Sequence, residues 1–124
     1  MPVQPVNGSF LATQTDPFTN LDHSRFMRLA IEQARKAPRY PFGAVLIDGT
    51  TERVVAEGIN RVTESPIFHG EMDAINNCAH NNPQIDWNKL ILYTTAEPCP
   101  MCQSAIVFAR IRLTVFGTSI PYLI

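Results

Sequence analysis

The chain has 124 residues, enough for one domain with its own hydrophobic core and too few for two. Its formal net charge of -1 lacks the basic surplus by which proteins dock on nucleic-acid phosphates. No apolar run approaches the length that spans a bilayer, and the start Met1-Pro2-Val3-Gln4-Pro5 has neither the basic residues nor the apolar stretch of a secretory signal. A cytoplasmic location with no membrane association is the expectation. The three cysteines are an odd number dominated by one Cys-x-x-Cys pair, a poor disulfide framework and a better metal or redox signal.

Residues 1–20 contain Pro2, Pro5 and Pro17 in a polar mix without a period and are expected to form an irregular or extended arm. Asp22 can cap a helix to about Ala37, with Phe26, Leu29, Ala30, Ala34 and Ala37 at helical spacing and Pro38 and Pro41 to end it. Arg35, Lys36 and Arg39 cluster near its end, where the helix dipole favours cations; a solvated helix end explains them better than a nucleic-acid patch. His23 is expected to serve surface or cap chemistry.

The apolar run Phe42–Ile47, the Asp48-Gly49 turn signal and Arg53–Ile59 predict a β-hairpin. A polar loop from Asn60 to Pro66 leads to His69, after which Ala74, Ile75 and Cys78 predict a helix that Asn81-Asn82-Pro83 stops. Leu90–Thr94 reads as a buried strand, Cys99 to about Arg110 as a helix and Leu113–Gly117 as a strand. This βαβ unit makes the two strands parallel. The predicted fold class is α/β, a three-layer α/β/α arrangement whose mixed sheet combines the antiparallel hairpin with the parallel strands. Ser119-Ile120-Pro121-Tyr122 reads as the start of a further connection.

Two stretches carry chemistry: His69-Gly70-Glu71 and Pro98-Cys99-Pro100-Met101-Cys102. The sulfurs of Cys99 and Cys102 fall on one side of a first helical turn, where unpaired N–H groups favour thiolate. Pro100 suits that turn, since its missing N–H has no helical partner to lose. If both helices start at the same sheet edge, His69, Cys99 and Cys102 converge on a zinc ion (Zn2+) and leave one position for water. Glu71 then stands free to move protons, and zinc brings the pKa of its water towards about 7. A dithiol redox motif is the competing reading of Cys-x-x-Cys alone; His69-x-Glu71 weighs against it. Cys78 cannot join His69 on one ion, because nine helical residues rise about 13.5 Å. His80 fails for the same reason, and Cys78 is expected in the core.

The pair His69-x-Glu71 and Pro98-Cys99-x-x-Cys102 resembles the signature of the cytidine deaminase superfamily of zinc-dependent deaminases. The resemblance runs from about Phe26 to Gly117 and implies a mixed sheet with the zinc site at the N-termini of two helices. Pro41-Phe42-Gly43-Ala44-Val45 is similar to the first-strand motif of the guanine, cytosine and tRNA-adenosine deaminase branches. Leu92-Tyr93-Thr94-Thr95-Ala96-Glu97-Pro98-Cys99-Pro100-Met101-Cys102 is similar to the second motif of bacterial guanine deaminases, and His69-Gly70-Glu71 resembles fungal cytosine deaminase.

The resemblance implies that Asn60 holds the base, that Phe42 borders it and that the backbone carbonyl of Glu97 receives the leaving amino group. Asn60 also reads as a turn former, Phe42 as core packing, and Gly70 either as room above the zinc or as relief of helix–strand crowding. Glu71 is the implied catalytic residue. The implied activity is hydrolytic deamination of a free aminated base or similar small heterocycle, guanine first and cytosine second. A tRNA adenosine deaminase and an inactive zinc-stabilised interaction module are the alternatives. The resemblance further implies a homodimer, with the apolar end Ile120–Ile124 as a candidate contact. It divides the chain into the arm of residues 1–20 and a deaminase domain of residues 21–124 without the family's C-terminal strand and helices.

Overall fold

In the computed structural model, which describes residues 3–4, 20–37 and 39–119, the first helix starts at its expected cap. Asp22 Oδ1 accepts the Arg25 backbone N–H at 3.1 Å, satisfying one of the unpaired donors of the first turn. This helix, α1, covers His23–Ala34. It tightens at its end, where the Lys36 and Ala37 N–H groups bond the Gln33 and Ala34 carbonyls three residues back.

The strands are β1 (Val3–Gln4), β2 (Gly43–Asp48), β3 (Val54–Ile59), β4 (Leu90–Ala96) and β5 (Leu113–Thr118). The remaining helices are α2 (Gly70–Asn81) and α3 (Pro100–Ala109), with a 3-10 turn at Trp87–Lys89 before β4. One sheet holds all five strands in the order β1-β5-β4-β2-β3. The predicted hairpin β2–β3 is present, β2 also runs antiparallel to β4, and β4 and β5 are parallel. Val3–Gln4 pairs antiparallel with β5 at Val115 and Thr114, a strand that no local pattern announces.

Alternation along the strands sorts the core into two faces. Val45, Ile47, Ile91, Tyr93, Leu113 and Val115 pack with Phe26 and Ala30 of α1. Ala44, Leu46, Leu90 and Leu92 pack with Ala74 and Cys78 of α2 and Ile106 of α3. The sheet is thus sandwiched between α1 and the α2–α3 pair, the expected three layers. Cys78 sits in the second core, and His80 is exposed in the last turn of α2.

Two glycines bring helix backbones onto the base of the hairpin. A Cβ at Gly43 would lie 2.7 Å from the Ala30 carbonyl oxygen of α1, and one at Gly58 would lie 2.9 Å from Ala74 Cα of α2. On the edge strand β3, the Glu57 and Val55 carbonyls accept side-chain N–H groups from Asn77 and Asn82, at 2.8 and 3.0 Å. Apart from Val3–Gln4 and Asn20, the arm expected over residues 1–20 lies outside the described residues, as does the end Ile120–Ile124 expected as a dimer contact.

Candidate metal centre and adjoining pocket

Both chemistry-bearing helices start at a residue that does not cap them. His69 is the N-cap of α2 and Cys99 the N-cap of α3; each has extended backbone, with ψ of 165° and 170°, and neither side chain bonds its own helix. The two side chains meet instead. Cys99 Sγ lies 3.5 Å and Cys102 Sγ 3.7 Å from His69 Nδ1. The three ligand atoms lie within 4.8 Å of one another and form the only such cluster among the described residues. Tetrahedral nitrogen and sulfur ligands at ordinary zinc distances stand about 3.6 Å apart, so the donor set and its spacing both fit zinc.

Cys102 is buried, and burial pushes its thiol well above the ordinary value, with the charges of Glu71 and Cys99 pushing the same way. Burial thus opposes the preference for thiolate that the helix N-terminus supplies. A cation taking the proton's place removes that penalty.

Glu71 is 7% exposed and close to the cluster. Burial raises its pKa; hydrogen bonds from the backbone, Thr94 and Cys102, and the nearby His69, pull the other way. Thr94 is the residue that sequence reasoning misses here. It is 2% exposed on β4, and the alternation Leu90, Leu92, Thr94 places it on the α2–α3 face, which is the signal that could have found it.

A cavity of about 530 Å³ opens beside these groups, within the usual size range of small-molecule sites. His69, Glu71, Thr94 and Cys99 line it together with Phe42, Asn60 and Glu97; Tyr40 and Val62 add wall that the motifs do not reveal. Phe42 belongs to neither core cluster, and its carbonyl accepts the Asn60 N–H at 3.0 Å. Asn60 Oδ1 accepts the Val62 N–H at 3.1 Å, so the residue does form a turn as well as line the cavity. One lone pair of its oxygen is engaged, which leaves both amino hydrogens and the second lone pair to offer a ligand. The Glu97 N–H donates to the Thr118 carbonyl at 2.7 Å, pinning the segment before Cys99 to the end of β5. Gly70 does not line the cavity. A Cβ there would meet Gly43 Cα and the Phe42 carbonyl at an ordinary 3.5 Å.

His23, expected in surface or cap chemistry, is the first residue of α1 and half-buried, with Nδ1 2.7 Å from the Tyr93 hydroxyl, on the opposite face of the sheet from Glu71. Arg35, Lys36 and Arg39 are exposed, and Arg35 pairs with Glu32 at 2.9 Å.

Residues 21–118 match the family model described as the cytidine and deoxycytidylate deaminase zinc-binding region. The chain is 40% identical over 100 residues to a tRNA-specific adenosine deaminase of Haemophilus influenzae, an alignment covering 77% of this chain and 57% of that protein. It is 39% identical over 104 residues to the guanine deaminase of Bacillus subtilis, covering 78% and 65%. A probable cytosine deaminase of Schizosaccharomyces pombe is 35% identical over 98 residues, covering 76% and 59%. The solved structure of Bacillus subtilis guanine deaminase superposes with a TM-score of 0.72 at 33% identity, covering 80% of this chain and 66% of that one. The chain thus spans about three-fifths of the length of the curated relatives it matches. Among the described residues no helix is long and apolar enough to cross a membrane.

Proposed function

The chain belongs to the cytidine and deoxycytidylate deaminase family, and from that premise we propose that it hydrolytically deaminates a free nucleobase or similarly small aminated heterocycle, guanine first and cytosine second. The observation that carries the proposal is one cavity lined by a buried carboxyl, a His/Cys/Cys cluster and an asparagine amide. Deamination forms a carbon–oxygen bond, breaks a carbon–nitrogen bond and releases ammonia. A zinc ion held by His69, Cys99 and Cys102 supplies a water acidified towards neutrality. Glu71 takes one proton from the attacking water and delivers it to the ring nitrogen, then takes the second from the hydroxyl so formed and passes it to the departing amine, which leaves as ammonia. Its burial and raised pKa support a role in which it both accepts and returns a proton. Asn60, its oxygen held by Val62, offers its amino group to an acceptor on the base edge such as the carbonyl oxygen of guanine or cytosine. Phe42 borders the base, the Glu97 carbonyl receives the leaving amine, and Gly70 acts through the hairpin it packs against.

The test is ammonia release by zinc-loaded protein from a panel of bases and nucleosides. Turnover of guanine or cytosine is expected, and Glu71→Gln should lower kcat by about 10²–10⁴ with zinc content unchanged. Silence on the whole panel ends this reading.

A second reading, deamination of adenosine in tRNA, is supported by the 40% identity to the Haemophilus protein, which stands beside 39% to the guanine deaminase. Inosine formed in tRNA, with binding that weakens steeply as salt rises, would select it. An activity lost with Glu71 would also dismiss a purely interacting zinc module. Phe108 and Val107, 87% and 66% exposed on α3, support a homodimer, which light scattering tests.

A further inference from the structure

We propose that Asp73 is a positioning residue that sets Asn60 in register with the helix carrying His69 and Glu71. The proposal rests on the reading of Asn60 as a substrate contact. Asp73 lies in the first turn of α2, two residues after Glu71, and is 3% exposed. A carboxylate is favourable at a helix N-terminus, but this one is also aimed at the neighbouring strand. Its Oδ2 accepts the Ile59 backbone N–H at 2.9 Å and the Arg61 Nε–H at 3.1 Å. These donors belong to the residues immediately before and after Asn60. One oxygen therefore brackets the asparagine from both sides.

The bracket reaches the whole connection from β3 to His69. The Arg61 N–H donates to the Phe68 carbonyl at 2.8 Å, and the Arg61 carbonyl accepts from Glu64 and Ser65 at 2.8 and 3.2 Å. Arg61 Nη1 reaches Glu64 at 3.5 Å, an exposed contact of little weight beside the one to Asp73. Asn60 keeps its own ties, N–H to the Phe42 carbonyl and Oδ1 to the Val62 N–H, and both need its backbone held in place. A displacement on the order of 1 Å at a substrate contact is enough to cost rate, so a buried carboxylate that fixes the asparagine relative to the proton-moving helix acts on catalysis without touching substrate.

The experiment is a double-mutant cycle on zinc-loaded protein, assayed on guanine and on cytosine, with amide exchange read in parallel. Asp73→Ala is expected to lower kcat/KM at least tenfold, mainly through KM, while Asp73→Asn, which keeps an acceptor oxygen, stays within threefold of wild type. In an Asn60→Ala background Asp73→Ala should cost less than twofold, because the asparagine it serves is gone. Exchange at the Val62 amide should accelerate at least tenfold in Asp73→Ala while Leu92 of β4 stays protected. Arg61→Ala, which spares the Ile59 bond, carries the same cycle if Asp73→Ala does not fold. Equal losses in both backgrounds, or unchanged Val62 exchange, overturn the proposal. A wild-type KM in Asn60→Ala, or no turnover by wild type, overturns the substrate reading of Asn60 instead; the exchange arm still decides whether Asp73 holds the loop.

Discussion

His69 and Cys99 occupy positions where serine, threonine, aspartate or asparagine would bond a helix's first N–H groups, and leaving that bond unmade costs about 1 kcal/mol at each helix. The side chains are committed to each other instead, which is how a functional site departs from local preference. Their identity as a cluster is legible in the sequence, because ligand type and Cys-x-x-Cys spacing are local properties. The burial of Cys102 is not legible, because it depends on what the rest of the chain packs around it. His23 illustrates the same limit on the far face of the sheet. Burial against Tyr93 lowers its pKa from the ordinary 6.5, with Asp22 opposing. The folded state therefore binds this proton less readily than the unfolded chain. The contribution is fully present above about pH 6.5 and is lost as pH falls below it. Thermal melts between pH 7.5 and 5.5 should show a shallower loss of Tm in His23→Gln than in wild type.

At the level of elements, the close approaches at Gly43 and Gly58 make sharp predictions. Alanine at either position forces α1 or α2 away from the hairpin base and should destabilise by about 1–3 kcal/mol, read as a lower urea midpoint. Arg110 ends α3 in the left-handed region at φ 65°, which a side chain adopts at a cost, so Arg110→Gly should stabilise by about 1 kcal/mol, read as a higher urea midpoint. Hairpin, helices and parallel pair are all legible as elements, since apolar periods of two and 3.6 residues and the Asp48-Gly49 turn are written locally. Val3–Gln4 is not, because two residues carry no period and their strand exists only by pairing with β5. Asp73 and Thr94 escape for a related reason. The alternation of β4 puts Thr94 on the inner face but does not name its partner, and nothing in the helical pattern separates an Asp73 that faces water from one that meets a partner across the fold.

At the scale of the molecule, the candidate metal ties two helix starts that are 30 residues apart in sequence, so its removal should be felt globally. Free zinc at about a hundredfold its Kd adds roughly 2.7 kcal/mol to the folded state, and chelation should lower Tm by about 10 °C or more, reversed by adding zinc back. The glycine contacts have a different consequence on this scale. Gly43 and Gly58 hold the hairpin base against helix backbone, while the nearby Phe42 and Asn60 line the cavity. The frame there therefore depends on two positions that admit no side chain, and the recognition surface on positions where one side chain can be exchanged for another. A scaffold divided in this way can exchange what it recognises without being rebuilt.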